Sequence, residues 1–180
     1  EDACALRRVS ATLSTPASDA ASGGDPEEIG LMISQPNLFS LLGVRPILGR
    51  GFAPEEVGPG RRPVVVLGYD LWQKRFGGDR DIVDREIRVN GEPFTVIGVM
   101  GPDFHFVRHS SLGAPQGAEA YITLDTDLAK TSPGAGSYSA FVRVRPGTSP
   151  ATADAAVQAV GRMVDRRDFQ GHGLHLYSTQ

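Results

Sequence analysis

The sequence predicts a mixed fold of short strands and short helices joined by many turns, and three observations support this. A chain of 180 residues is long enough for one ordinary domain or two small ones. Its 40% apolar and 22% charged residues are close to globular averages, and 22 Gly with 13 Pro disfavour long uninterrupted helices. The spacing of apolar residues also alternates between the strand period and the helix period along the chain.

The first part of the chain predicts a strand, a second strand and a short helix. Apolar residues alternate with polar ones over residues 8–14, which is typical of a strand with one buried face. Residues 29–34 are also strand-like, and the turn-forming residues between the two segments favour a hairpin with a long loop. A short helix is predicted from Pro36, with Gly43 as its left-handed C-terminal cap.

The next segment predicts a buried strand followed by a helix. Residues 63–67 are apolar and mostly β-branched, as in a strand covered on both faces. Tyr69, Trp72 and Phe76 then recur at helical spacing and form one aromatic face, and Gly77 favours the end of the helix. An aromatic face at this spacing predicts a core position for Trp72 rather than a ligand-binding one.

A hairpin and two further strands are predicted after this helix. Asn90-Gly91 supplies the residues that a two-residue type I′ turn requires, with alternating or apolar residues on both sides. Residues 120–124 and 140–144 predict two strands, and Ser149-Pro150 begins a helix with an apolar stripe. Residues 175–177 predict a closing strand.

Two stretches without periodicity divide the chain. Residues 54–63 and 131–137 are rich in Gly and Pro, with Glu and Arg in the first and Ser in the second. Such composition is typical of crossings between structural units. The segment between them, residues 61–130, is therefore predicted to be an inserted subdomain.

Charge and motifs exclude several classes of function. A net charge of −3 and dispersed basic residues give no basis for binding nucleic acid. Residues 43–50 lack the Gly-Lys-Ser/Thr ending of a phosphate-binding loop, and no Gly-x-Ser-x-Gly elbow follows a strand. We therefore predict no catalytic residue, no cofactor and no nucleotide site in this chain.

The four histidines form two loose pairs, which are His105 with His109 and His172 with His175. No cysteine or nearby carboxylate completes either pair into a zinc or copper site, so no metal site is predicted. A metal-dependent enzyme is the less favoured alternative function. The sole cysteine, Cys4, excludes an intrachain disulfide and is interpreted as a structural thiol.

Nothing in the chain resembles a membrane span or a signal peptide. The apolar stretches are shorter than the roughly 18 to 20 residues that a spanning helix needs. The first residues also lack a basic region followed by an apolar one. We expect the chain to behave as a soluble, monomeric fragment.

Three blocks of the sequence resemble the MacB-type periplasmic core domains of FtsX-like ABC-transporter permeases. These blocks are residues 34–52 (SQPNLFSLLGVRPILGRGF), residues 64–79 with 87–100 (VVVLGYDLWQKRFGGD and IRVNGEPFTVIGVM), and residues 141–149 (FVRVRPGTS). Their order and spacing agree with the family from about residue 29 to residue 165. Agreement across three blocks is more specific than any single motif.

The chain departs from the family pattern in a few turns. Gly68 occupies a position where Ser is usual, Asp84 one where Gly is usual, and residues 101–104 replace Pro-Pro-Gly-Phe. The family domain also begins with a strand and a helix that are little visible before Val9, so we expect the natural protein to extend further towards its N-terminus.

The resemblance implies an α+β fold. It implies a porter-like α/β subdomain formed by residues 1–60 and 131–180, with a smaller mixed α/β subdomain, called Sabre in this family, formed by residues 61–130. It places the chain on the extracytoplasmic, periplasmic face of the bacterial inner membrane, in a protein with a membrane anchor and a cytoplasmic ATPase.

The function implied by the resemblance is a non-catalytic one. The domain would couple cytoplasmic ATP hydrolysis to extracytoplasmic motion and partner contact, in efflux or mechanotransmission, with a periplasmic adaptor or envelope protein as partner. A solute- or lipid-binding sensor module of the same permease class is the alternative.

A loop spanning residues 103–117 is the candidate partner-binding site. Phe104, Phe106, Arg108 and His109 place aromatic and cationic groups on a segment without periodicity. Binding residues concentrate on loops held by a rigid scaffold. The alternative is that the two phenylalanines pin this loop to the inserted subdomain.

Overall fold

The computed structural model describes residues 3–15, 25–58, 60–106, 118–124, 139–145, 147–149, 151–156 and 159. The strands are β1 (Ala3–Ser14), β2 (Glu27–Ser34), β3 (Leu48–Gly49), β4 (Val64–Leu67), β5 (Glu86–Val89), β6 (Glu92–Val99), β7 (Ala120–Thr123) and β8 (Ser139–Val142). The helices are α1 (Leu38–Leu42) and α2 (Tyr69–Phe76), with 3-10 turns at Pro54–Glu56 and Arg80–Ile82. Residues 151–156 are also helical. The predicted α+β class is confirmed.

All strands of the described residues belong to one sheet, and most of them form a closed ring. The order is β2-β7-β4-β6-β5-β1-β8, with β3 paired to β6. Because β2 also pairs with β1, the path from β1 through β2, β7, β4, β6 and β5 returns to β1. The β2–β7 and β4–β6 pairs are parallel, and the others are antiparallel.

The length of β1 makes this closure possible. Along one edge, Leu6–Leu13 pair with β2. Along the other edge, Ala3–Leu6 pair with β8, and Leu13 with Ser14 pair with β5. A strand of 12 residues therefore connects three other strands.

Two hydrophobic cores lie on opposite faces of the sheet, because successive side chains of a strand point to opposite sides. In β4, Val65 and Leu67 lie in the first core, whereas Val64 and Val66 lie in the second. The first core contains α2, β5 and part of β6. The second contains α1 and most of the aromatic rings discussed below, and we call it the aromatic core.

Both helices end where the sequence predicts. Gly43 and Gly77 adopt the left-handed conformation, with φ of 71° and 61°, and their amides bond to carbonyls of the preceding turn. Trp72 is 6% exposed and lies in the first core, which confirms the predicted core position. Its indole Nε1 donates a hydrogen bond of 2.8 Å to the Asp79 carbonyl, which fixes the turn that follows α2.

The hairpin predicted at Asn90-Gly91 is also confirmed. The two turn residues have φ of 53° and 83°, as the type I′ turn requires, and they join β5 to β6. Asp84 has a φ of 69° as well, although it carries a side chain. The sequence position where the family usually has Gly is therefore one at which the backbone favours Gly.

The predicted subdomain segments share the sheet and both cores. Strands β1 and β2 come from the segments assigned to the porter-like subdomain, and they pair with β5 and β7, respectively, from the inserted segment. Glu119 reinforces this connection: its amide and carboxylate each form a 2.8 Å bond with Gly30, and its carbonyl accepts a 2.7 Å bond from the Gly68 amide. The division at residues 60 and 131 stays a prediction, and any such subdomains are hydrogen-bonded to each other.

The predicted strand at residues 175–177 and the apolar stripe beyond residue 156 lie outside the described residues. Among the helices that are described, none has the length and apolar character required to span a bilayer.

We predict that Trp72→Ala lowers the free energy of unfolding by about 3 to 5 kcal/mol, because it empties a buried ring site and leaves the Asp79 carbonyl without its donor. Chemical denaturation measures this. Gln73→Ala, on the exposed side of the same helix, is the control and should change stability by less than about 0.5 kcal/mol. Equal stability of the two variants would contradict the core assignment.

We predict opposite effects for two substitutions of Asp84. Asp84→Gly should stabilise the chain by up to about 1 kcal/mol, because glycine adopts the left-handed conformation without a Cβ penalty. Asp84→Val should destabilise it by about 1 to 2 kcal/mol for the converse reason. Thermal unfolding of both variants checks the sign, and a loss of stability in Asp84→Gly would be inconsistent with strain at this position.

Candidate functional site

The candidate loop leaves the sheet at the end of β6. The Met100 amide still bonds to the Leu67 carbonyl of β4 at 2.8 Å, and the chain then turns at residues 101–103. The Phe104 amide closes this turn on the Gly101 carbonyl at 3.1 Å. Residues 103–106, which we call the loop limb, are the described beginning of the predicted partner-binding loop.

The two aromatic rings of the loop limb belong to a network of six rings, and the other four come from separate parts of the chain. These rings form the aromatic cluster, which consists of Phe39, Phe52, Phe104, Phe106, Tyr121 and Phe141. Phe104 lies with its ring centroid 5.9 Å from that of Phe39 and 5.7 Å from that of Tyr121. Such edge-to-face and tilted pairs add to the stabilisation that burial of the rings already provides.

Tyr121 fixes the return of the chain into β7. Its side chain is 1% exposed, and its hydroxyl donates a 3.2 Å hydrogen bond to the Ala118 carbonyl. Burial raises the pKa of Tyr121 above its usual range, because an ionised phenol would lose its hydration. The hydroxyl therefore remains a neutral structural donor and is unsuited to acid–base chemistry near neutral pH.

Strand β8 and the residue that follows it are attached by two side chains, one to the aromatic cluster and one to the end of α1. The ring of Phe141 lies 5.2 Å from that of Phe106. The guanidinium of Arg143 donates hydrogen bonds to the carbonyls of Leu41 and Ser40, which belong to the last turn of α1. A cation at the C-terminus of a helix is favourable because unpaired carbonyls give that end a partial negative charge.

Cys4 lies beside Phe141 on the neighbouring strand. The two residues are directly paired between β1 and β8, and the Cys4 side chain is fully buried in the aromatic core. Burial raises the pKa of Cys4 to about 11, and the hydrogen bond to the Gln35 carbonyl opposes this only in part. Since the thiolate is the reactive form, the folded chain presents an inert thiol.

The predicted site residues have different environments. Phe106 is 3% exposed and Phe104 is half-buried, and both pack against the aromatic core. His105, between them, is exposed. Arg108 and His109 lie outside the described residues. Partner binding by these four predicted residues stays a prediction. Within the described limb, the exposed residues are Asp103 and His105, which are not among the four.

Sequence reasoning did not identify the other members of the cluster. Phe39, Tyr121 and Phe141 were assigned to a helix and two strands, without a relation to the loop. Their register offers a partial indication, since each lies on the face of its element that enters the aromatic core. Which rings meet, however, depends on strand pairing over long distances along the chain, and the local pattern does not encode it.

Among the residues that the structure describes, no three His, Cys, Asp or Glu side chains approach closely enough to hold a metal ion. His109, His172 and His175 lie outside that set.

We predict that Cys4 resists thiol reagents in the native chain at pH 8 and reacts rapidly in denaturant. Because the folded pKa of about 11 exceeds the ordinary value of 9.0, burial disfavours the thiolate in the folded state. The contribution of this group to stability is therefore complete below about pH 9 and is lost as the pH rises towards 11.

The rate of thiol modification, measured against pH, tests the protection of Cys4, and Cys4→Ser is the control without a thiol. Rapid native labelling at pH 8 would refute the assignment.

Comparison with known proteins agrees with this architecture. The family described as MacB-like periplasmic core domain matches residues 2–160. No protein of curated function matches the chain. The periplasmic region of MacB from Actinobacillus actinomycetemcomitans has a similar structure, with a TM-score of 0.66 at 17% identity, over 93% of this chain and 69% of that one.

Two further solved structures show the same fold. A domain of a putative permease from Porphyromonas gingivalis has a TM-score of 0.61 at 17% identity, over 94% of this chain and 70% of that one. The extracellular domain of the noncanonic ABC-type transporter YknZ from Gram-positive bacteria has a TM-score of 0.62 at 16% identity, over 92% of this chain and 75% of that one. With the family match over most of its length, this chain belongs to the MacB-like periplasmic core domains, the periplasmic domains of ABC-transporter permeases of the inner membrane.

Proposed function

We propose that this domain is a non-catalytic coupling module, which converts ATP hydrolysis in the cytoplasm into motion and partner contact on the periplasmic side. The observation that carries the proposal is the family match over residues 2–160. Permeases of this class work with an ATPase, so a domain on the opposite side of the membrane receives mechanical input rather than nucleotide. Efflux or mechanotransmission would be the output.

The described geometry supports a mechanical role. The sheet closes on itself, and both of its faces are covered by packed cores. Close-packed interiors are poorly compressible and transmit strain. A displacement applied to one strand of the closed ring would therefore move the other strands of the ring, which come from the segments assigned to both the porter-like and the Sabre-like subdomains.

Partner contact is proposed at the loop that begins with the loop limb. The described cluster holds Phe104 and Phe106 inward, which leaves His105 exposed between two fixed residues. A loop with a rigid base loses less conformational entropy on binding than a loop without one. The partner would be an adaptor or another envelope protein, with Arg108 and His109 supplying cationic contacts.

The alternative function, a solute- or lipid-binding module, requires a cavity. The rings of the described cluster lie between 5.2 and 6.4 Å apart, so side chains fill this part of the aromatic core. No observation on the described residues favours the alternative over coupling.

We predict that a photo-crosslinking residue at position 105 of the full-length permease captures an envelope partner, and that the yield changes severalfold when ATP hydrolysis is blocked. Position 105 is exposed on the loop limb. The matched control is position 92, which is also exposed but lies at the hairpin turn. Equal crosslinking yields at positions 105 and 92 would refute the proposed partner contact. A crosslinking yield that does not depend on the state of the ATPase would refute the proposed coupling.

A further inference from the structure

We propose that the loop limb and strand β8 form one coupled unit, in which either element releases the other when it detaches from the aromatic core. The link is the pair Phe106–Phe141, with ring centroids 5.2 Å apart. The inference rests on the proposed function for its use in the permease, but the coupling itself is a property of this chain.

The attachments of β8 are few enough to be reversible. In the described residues, β8 pairs with β1 over only four positions, Ala3–Leu6, and with no second strand. Val142 and Val144 on this segment are 47% and 45% exposed. Short edge elements with little buried apolar area belong to the less stable parts of a fold and open locally. Phe141 and Arg143 are therefore a large part of what holds β8 to the aromatic core.

The loop limb depends on the same contacts from the other side. Phe106 is 3% exposed, and Phe141 is the ring that covers it from β8. The ring centroids of Phe104 and Phe106 are 6.4 Å apart, and Phe104 also packs against Tyr121 and Phe39. If β8 moves away, Phe106 loses a neighbour and exposes apolar area, which weakens the position of the limb.

Arg143 extends the unit to α1. Its guanidinium donates to the Leu41 and Ser40 carbonyls, so displacement of β8 also removes the side-chain partner of this helix terminus. The limb, β8 and the end of α1 thus share one set of contacts, although they are separate in sequence. Coupling between two sites is reciprocal in free energy, so the effect must be measurable in both directions.

Cys4 provides a built-in probe of β8. It is the sole cysteine, it is fully buried, and it is paired with Phe141 across the strands. Opening of β8 uncovers the thiol, and modification by a disulfide reagent then reports the population of the open form. Hydrogen exchange of residues 101–106 reports the loop limb independently.

The experiment uses the 180-residue chain and three leucine variants, which keep the sites apolar. Phe106→Leu should accelerate Cys4 modification about two- to tenfold, and Phe141→Leu should accelerate exchange of residues 101–106 by a similar factor, because an aromatic pair contributes energy of that order beyond burial. Phe52→Leu is the matched control. Phe52 is half-buried in the same cluster and contacts Phe39 at 5.3 Å, so its loss should leave both rates nearly unchanged.

Two outcomes would overturn the inference. One is that each substitution accelerates only the segment that carries it. The other is that Phe52→Leu accelerates both rates as much as the test variants do, which would indicate general loosening. Exchange of residues 86–94, whose buried side chains lie in the other core, must stay constant in all variants. If Phe106→Leu does not fold, the inference is tested by Phe141→Leu alone, through hydrogen exchange of residues 101–106.

The permease experiment separates this inference from the proposed function. Phe106→Leu in the full-length protein should retain the crosslink at position 105 but reduce its dependence on ATP hydrolysis. Independent rates in the isolated chain would reject the coupled unit while leaving the coupling module in place. If Cys4 modification and exchange of residues 101–106 prove coupled in the isolated chain, but the full-length permease gives no crosslink at position 105, only the partner contact would be rejected.

Discussion

The pairing of β1 along both of its edges is the constraint on which the described architecture depends. One edge carries β2, and the other carries β8 and β5 in succession. The strand also serves both cores: Cys4 and Leu6 point into the aromatic core, whereas Ala11 and Leu13 point into the first core. Because alternate residues face opposite sides of a strand, even-numbered positions are buried near the start of β1 and odd-numbered positions near its end, and Ser10 and Thr12 are exposed.

This arrangement explains how far the sequence could predict the fold. The helix α2 and the β5–β6 hairpin follow from local rules, since a periodic apolar face, a terminal glycine and Asn90-Gly91 act within a few residues. The start of β1 was predicted at residue 8, but the strand begins at Ala3. Its buried positions change from even to odd numbers around Arg7 and Arg8, so no single alternation covers the whole strand.

The candidate site was less predictable, because its contacts join residues far apart in the sequence. A phenylalanine on an irregular segment is compatible with both partner contact and loop attachment, and its neighbours in the fold depend on the positions of Phe39, Tyr121 and Phe141. Those positions depend on the parallel pairing of β2 with β7 and on the pairing of β8 with β1. Apolar periodicity specifies which face of a strand is buried, but it does not specify the neighbouring strand.

One departure from the family pattern, Gly68, coincides with a close backbone contact. Gly68 is the N-cap residue of α2 and offers no side-chain cap. A Cβ at this position would lie 2.9 Å from the Glu119 carbonyl oxygen, which itself accepts the Gly68 amide at 2.7 Å. The chain thus has a close backbone contact between α2 and the start of β7 in place of a capping hydroxyl. Glu119 in turn bonds to Gly30 of β2, so α2, β7 and β2 are connected through one residue.

Contacts of this kind make the centre of the sheet resistant to shear and leave its edge elements as the parts that yield first. Among the described elements, β8 meets this condition because it pairs with β1 alone, and the loop limb meets it because side-chain packing is its main attachment. In the coupling function that we propose, a force on this sheet would be expressed where β8 and the limb share their aromatic contacts, because the closed ring behind them has more strand pairings to break.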